Sequence, residues 1–302
     1  MCIRDSSMEK HSFEEHRQSL AGKFEKRRTL YTIYFSPTGG TKKVADIVSR
    51  ALSNERESGG WEMKEIDLSP AGTDYSQYHF TREDICIVAA PSFGGRVPGP
   101  VLERLKEMEG GHAKTILAAV YGNRAFEDTL LELEDTLVLA GFDCKAAVAA
   151  VAEHSIMHQF GQGRPDAEDE KELAGFAARI RERLEKESGG QEEAAGILQG
   201  EQTGRIPGLP GNRPYREYGG VPFKPEADNS CTGCGLCAKE CPAGAIPAEK
   251  PSSVDKEKCI SCMRCVSVCP RHARDLNRLV LFAASQKMKK ACSGRKKNEL
   301  FI

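Results

Sequence analysis

Residues 29–41 read TLYTIYFSPTGGT, and the fold class of the first half of the chain follows from this stretch. Its first part, Thr29–Phe35, is rich in β-branched and aromatic residues, which is typical of a strand. After the Ser, Thr and Gly residues of the second part, Val44, Ile47 and Val48 recur at helical spacing. The stretch therefore predicts a strand, a tight loop and a helix, which is the first unit of an α/β sheet.

The alternation of strand and helix continues to residue 187. Apolar stripes at helical spacing separate the strand candidates, and a last helix is predicted to start near Asp166. Strands connected by crossover helices form a parallel, doubly wound sheet. We therefore predict an α/β fold with a five-stranded parallel sheet for residues 28–187. The strands after the first are predicted at Glu62–Leu68, Asp84–Ala90, Lys114–Val120 and Cys144–Ala152.

Three other segments flank the sheet domain or follow it. Residues 1–27 are an N-terminal extension, and 1–6 resemble the translation of a sequencing adapter, so they are left out of the fold argument. Residues 188–226 are a Gly/Pro-rich linker, predicted to be a flexible tether, with an ordered second half around Tyr218 as the alternative. Residues 275–302 are a basic tail, expected to be solvated, with docking to an acidic partner as the alternative.

Eight of the twelve cysteines fall into two runs of identical spacing. C-x2-C-x2-C-x3-C-P begins at Cys231 and again at Cys259. This is the bacterial spacing for [4Fe–4S] clusters, in which the fourth cysteine of each run ligates the other cluster. A structural zinc site has four ligands in two separated pairs and fits this pattern poorly. The predicted ligand sets are Cys231, Cys234, Cys237 and Cys269 for one cluster, and Cys259, Cys262, Cys265 and Cys241 for the other.

Residues 227–274 thus resemble bacterial ferredoxins, which implies a small α+β domain that carries two [4Fe–4S] clusters. Gly233, Gly235 and Gly244 suit tight turns whose amides point at sulfur and tune the reduction potential of a bound cluster.

Two other cysteines belong to the sheet domain. Cys86 and Cys144 lie in predicted strands and are interpreted as core thiols.

The loop after the first strand combines hydroxyl groups, glycines and a helix N-terminus, which together form a typical phosphate site. It is not a Walker A loop, and no Gly-x-Gly-x-x-Gly follows a strand. The loop is similar to the phosphate loop of flavodoxins, and this resemblance covers residues 28–187. It implies FMN as the ligand, with further flavin contacts from the loops after the third and fourth strands. The implied FMN residues are Ser36, Thr38, Gly39, Gly40, Thr41, Ser92, Phe93, Gly94, Gly95, Tyr121, Gly122 and Asn123.

Phe93 is expected to stack on one face of the flavin ring. Flavodoxins often bracket the ring with a tryptophan, but Trp61, the only one here, lies at the start of the second strand. The other face of the ring is therefore unassigned. Tyr75 and Tyr78 are candidates, with surface or packing roles as the alternative.

The two parts in one chain resemble the flavodoxin–ferredoxin fusions of anaerobic bacteria called ferrodoxins. The resemblance implies a protein that relays low-potential electrons between two [4Fe–4S] clusters and FMN, to or from a partner redox enzyme, with no catalytic residue. One alternative is a flavin-dependent oxidoreductase that acts on NAD(P)H, a quinone or another small molecule. The other is a ferredoxin whose flavodoxin-like domain lacks flavin and serves in docking.

Composition excludes several other classes of protein. The chain has 43 Lys and Arg against 44 Asp and Glu, a net charge of −1, which argues against nucleic-acid binding. Its longest apolar run, Ala146–Ala152, is far shorter than the roughly 20 residues that span a bilayer. With no export signal, a cytoplasmic location with reduced thiols is expected.

Overall fold

The computed structural model describes residues 28–53, 61–189 and 204–302. The prediction of an N-terminal extension over residues 1–27 and part of the predicted linker lie outside these ranges. The described helices include none with the length and apolar composition needed to cross a bilayer.

Strands and helices alternate through the first domain. Its strands pair in parallel in the order β2-β1-β3-β4-β5, which is the flavodoxin-like order of a doubly wound sheet. The predicted five-stranded parallel sheet is therefore confirmed. In chain order the elements are β1 Thr29–Tyr34, α1 Gly40–Leu52, β2 Glu62–Asp67, β3 Ile85–Pro91, α2 Gly99–Glu107, β4 Lys114–Tyr121, α3 Thr129–Leu139, β5 Asp143–Val151 and α4 Ala167–Gly189.

Both faces of this sheet are buried over its central strands, whereas the edge strand β2 is mostly exposed. On one face Ile87 packs in the same apolar cluster as Val44 of α1 and Leu173 of α4. On the other face Val88 packs with residues of α2 and α3. Cys86 is fully buried in this second cluster, and burial raises the pKa of its thiol well above its usual range. Because the strands are parallel, the loops that follow β1, β3 and β4 meet at one edge of the sheet, beside the switch point between β1 and β3.

The second domain is small and carries the two cysteine runs. Its two strands pair antiparallel, Glu226 with Asp275 and Ala227 with Arg274. Each cysteine run contributes one short helix. The elements are β6 Glu226–Ala227, α5 Leu236–Lys239, α6 Arg264–Ser267 and β7 Arg274–Asp275.

The basic tail is folded, contrary to the expectation of a solvated segment. Helix α7, Arg278–Met288, turns Leu281 toward Met157 and Phe160 of the first domain. Strand β8, Glu299–Phe301, then pairs antiparallel with β5 and makes the sheet six-stranded. The sequence does not predict β8, because three residues are too few to show a hydrophobic period.

The described part of the linker packs against the first domain, which agrees with the alternative of an ordered second half. Ile206 is 4% exposed and belongs to the apolar cluster beneath α3. Arg205, Arg213 and Tyr215 all donate hydrogen bonds to the carboxylate of Asp135. Three donors on one carboxylate fix this segment over α3.

We predict that low pH weakens this attachment. Burial alone would raise the pKa of Asp135, but hydrogen bonds from Arg213, Tyr215 and Arg205 outweigh burial and lower the pKa to about 2. Since the folded pKa lies below the ordinary Asp value of about 3.9, the contribution to stability is complete above about pH 4 and lost as pH falls toward about 2. Asp135→Asn should therefore speed hydrogen exchange in residues 205–216 at pH 5 to 7, and the difference from wild type should shrink toward pH 2. A difference that does not change with pH would contradict this.

Candidate functional site

The eight clustered cysteines surround two cavities in the second domain. In each cavity, the first three cysteines of one run meet the fourth cysteine of the other run. The outer cavity is lined by Cys231, Cys234, Cys237 and Cys269, and the inner cavity by Cys241, Cys259, Cys262 and Cys265. The structure thus brings together the two sets that the spacing predicts.

The backbone around the two cavities repeats with an offset of 28 residues. Gly233, Gly235 and Gly244 have positive φ, and the equivalent positions in the second run are also left-handed. These turns fold each run tightly around its cavity, and only glycine adopts such φ values without steric cost. The non-glycine equivalents in the second run are Ser261, Met263 and His272, with φ of 55°, 63° and 50°.

Main-chain amides point at sulfur in both halves of the repeat. Ala245 N donates to Cys241 Sγ across 3.3 Å, and Ala273 N donates to Cys269 Sγ across 3.3 Å. These two sulfurs are the fourth cysteines of their runs. Amide hydrogen bonds to sulfur stabilise the thiolate and tune the potential of a bound cluster.

The donor set of each cavity suits an iron–sulfur cluster. Four soft sulfur ligands and a mostly apolar lining match the ligands that iron–sulfur clusters use. Burial raises the pKa of Cys262 and of Cys265 to about 12 each, and neighbouring cysteines add to the shift. In the described ranges, no three His, Cys, Asp or Glu side chains are arranged to hold a single metal ion. A [4Fe–4S] cluster takes four cysteine ligands, which matches the four cysteines of each cavity.

The predicted phosphate loop lies at the carboxyl end of β1. Ser36 is buried, and its Oγ accepts a hydrogen bond from Lys42 N across 2.9 Å, which holds the loop against α1. Thr38 and Gly39 are exposed. Gly39 is left-handed, with φ of 92°, and no side chain caps the helix at this position. The N-terminus of α1, at Gly40 and Thr41, thus follows a loop that contains hydroxyl and glycine residues. Such a loop before a helix N-terminus suits the binding of a phosphate group.

The loop after β3 turns sharply at two glycines. Gly94 and Gly95 have φ of 62° and 86°. Thr129 Oγ1 donates to Ser92 Oγ across 2.8 Å, which fixes the start of the loop. Phe93 is half-buried, and its backbone pairs with Arg96 across the turn.

The loop after β4 uses its side chains to hold the C-terminal tail. Asn123 is 4% exposed and donates to Cys292 O across 2.7 Å and to Gly294 O across 2.9 Å. The Tyr121 hydroxyl donates to Lys297 O across 3.1 Å. Gly122 lies against the ring of His154. These side-chain contacts with the tail were not predicted, because the tail was expected to be solvated.

The two candidate tyrosines for the second face of the ring pack in the core. Tyr75 is 1% exposed, and its hydroxyl donates to Asp67 O across 3.0 Å. Tyr78 packs beside it, with ring centroids 6.2 Å apart. Instead, Tyr218 of the linker lies with its ring against Gly94. The tyrosine content of the linker was the one signal in the sequence that pointed to this contact.

The second domain packs near the carboxyl ends of β1 and β2. Arg264 Nη1 and Ser267 Oγ both donate to Pro37 O, across 3.4 and 3.3 Å. Arg104 is buried and joins the domains, since it donates to Leu68 O and, across 2.6 Å, to Pro242 O. Pro242 and Arg264 also line the inner cavity. The inner cavity therefore borders the predicted phosphate loop.

Comparison with known proteins identifies the second domain. Residues 226–274 match the family model described as a 4Fe-4S dicluster domain. Together with the strand order of the first domain, this defines a flavodoxin-like sheet joined to a dicluster ferredoxin domain, which is the architecture of an electron-transfer protein.

Individual relatives match parts of the chain. One subunit of an ion-translocating oxidoreductase complex from Methanosarcina acetivorans is 45% identical over 58 residues, 19% of this chain and 22% of that protein. The chain thus spans about a fifth of the length of this curated relative. A flavodoxin from Streptococcus pneumoniae TIGR4 has 20% identity and a TM-score of 0.38, over 51% of this chain and 99% of that one. Rubredoxin oxygen:oxidoreductase from Desulfovibrio gigas has 18% identity and a TM-score of 0.39, over 57% of this chain and 40% of that one.

Proposed function

We propose that the protein relays electrons between two [4Fe–4S] clusters and FMN, and exchanges them with a partner redox enzyme. The observation that carries this proposal is the pair of four-cysteine cavities, of which the inner one borders the loop proposed for the flavin phosphate. Bound clusters supply one-electron transfer, and FMN supplies conversion between one- and two-electron steps.

Each part of the chain has a defined task in this proposal. The four cysteines of each cavity hold one cluster, the apolar lining excludes water, and the Ala245 and Ala273 amides donate to sulfur. The loop from Ser36 to Thr41 holds the phosphate, and the loop from Ser92 to Gly95 contacts the ring. Because the side chains of Tyr121 and Asn123 hold the tail, the loop from Tyr121 to Asn123 contributes through its main chain.

The outer cavity is the proposed point of exchange with the partner. At the outer cavity only Cys237 is buried, and Cys234 is exposed, whereas at the inner cavity three cysteines are buried and Cys259 is half-buried. A partner therefore approaches the outer cavity more closely than the inner one. The local similarity to part of an ion-translocating oxidoreductase complex supports a redox enzyme as the partner. The clustering of eight cysteines in two runs with cluster spacing supports a cytoplasmic location, where thiols stay reduced.

Anaerobic purification followed by flavin, iron and acid-labile sulfide analysis tests the proposal. We expect about eight irons and one FMN per chain. Zinc in place of iron would refute the cluster assignment. Clusters without releasable flavin would support the docking alternative. Turnover of NAD(P)H or a quinone without a protein partner would support a self-contained oxidoreductase.

A further inference from the structure

The loop proposed for the flavin phosphate is in contact with the dicluster domain. Arg264 Nη1 and Ser267 Oγ reach Pro37 O across 3.4 and 3.3 Å. The next residue, Thr38, is exposed and begins the hydroxyl and glycine residues of the loop. A cation from outside the flavodoxin-like domain therefore lies at the edge of the phosphate loop.

The two lysines in the first turn of α1 are held by other groups. Lys42 Nζ pairs with Asp46 across 2.9 Å and with Glu65 across 3.0 Å. Lys43 Nζ donates to Pro165 O across 2.6 Å. Because a phosphate monoester carries about two negative charges near neutral pH, a cation that faces the loop would strengthen its binding.

Arg264 is also paired with a carboxylate, that of Glu240, but it differs from the two lysines because its Nη1 contacts the loop itself. Arg264 Nε and Nη2 donate to Glu240 Oε2 across 3.2 and 2.6 Å. The two side chains are 29% and 30% exposed, so the pair is only partly screened by water. Since the planar fork is rigid, these two bonds direct Nη1 toward the Pro37 carbonyl. The Arg264 side chain therefore loses less conformational entropy when an anion binds to it.

We propose that Arg264 is a phosphate-binding residue of the flavin site, so that the dicluster domain completes a site on the flavodoxin-like domain. The proposal rests on the proposed function, because it requires FMN in that loop. Arg264 stabilises the phosphate through a charge-assisted hydrogen bond. By linkage, phosphate binding also strengthens the docking of the dicluster domain by the same free energy.

Parallel titrations with FMN and riboflavin test this role, since riboflavin lacks the phosphate. The samples are flavin-depleted full-length protein with its clusters intact, and iron is measured in each. Arg264→Gln should weaken FMN binding about 10-fold or more and leave riboflavin affinity unchanged. Lys256→Gln is the matched control, because it removes the same charge from an exposed residue of the same domain that pairs with Glu226. It should change neither affinity.

Equal weakening of FMN and riboflavin by Arg264→Gln would overturn the proposal, because a merely structural residue would affect both ligands. Wild-type protein that binds no FMN would overturn the proposed function and this inference with it. If Arg264→Gln loses its clusters, hydrogen exchange of the wild type decides instead. FMN, but not riboflavin, should slow exchange in residues 264–268, and equal protection by both ligands would refute the role.

Discussion

Cys269→Ser is expected to remove about half of the iron, from about eight to about four atoms per chain. Cys269 lies at the outer cavity with Cys231, Cys234 and Cys237 and not with its neighbours in sequence. A serine oxygen is a poor substitute for a soft thiolate ligand. The cluster of the outer cavity should therefore be lost and that of the inner cavity retained. Iron and sulfide analysis and EPR of the reduced protein measure this.

The double variant Cys231→Ser/Cys269→Ser tests whether ligation is crossed. With crossed ligation both residues serve the same cluster, so the double variant still holds about four irons. With uncrossed ligation each change removes a different cluster, and the double variant is nearly free of iron. Cys292→Ser is the control, because Cys292 is a buried cysteine that lines neither cavity and should leave the iron content unchanged.

Asp169→Ala is expected to lower the free energy of unfolding by about 3 to 5 kcal/mol. Asp169 is fully buried, pairs with Arg164, and accepts a hydrogen bond from Asn298 Nδ2 across 2.9 Å. Burial alone would raise the pKa of Asp169, but its hydrogen bonds, above all that from Arg164, outweigh burial and lower it. The variant leaves the guanidinium of Arg164, which is 5% exposed, without its main partner. Urea denaturation measures the loss.

The same change should also loosen β8, because Asn298 directly precedes this strand. Hydrogen exchange in residues 298–301 should become faster in Asp169→Ala. Glu168→Ala is the control: Glu168 is 77% exposed and lies 3.3 Å from Arg295, so its loss should cost no more than about 1 kcal/mol. Similar losses in both variants would show that Asp169 contributes no more than a surface charge.

The fold of each domain was largely predictable from local patterns. The five parallel strands appear within one residue of their predicted limits. In β3 and β4 the signal is a continuous apolar run, which side chains buried on both faces of a sheet produce. The two cysteine groups follow in the same way from spacing, since a cluster draws most of its ligands from one short run. Tyr75 shows the limit of such reasoning, because the sequence does not distinguish a core tyrosine from one that faces a ligand.

Sequence alone thus determined the strands of the sheet and the sulfur chemistry, which depend on residues close together along the chain, and the grouping of the cysteines, which follows from the repeated spacing of the two runs. Only the tertiary structure showed which cavity borders the phosphate loop, that Tyr218 lies on Gly94, and that the tail adds a strand to the sheet. Arg264 contacts Pro37 across 227 positions of sequence. No periodicity or spacing predicts such a contact, because it forms only when the two domains pack against each other.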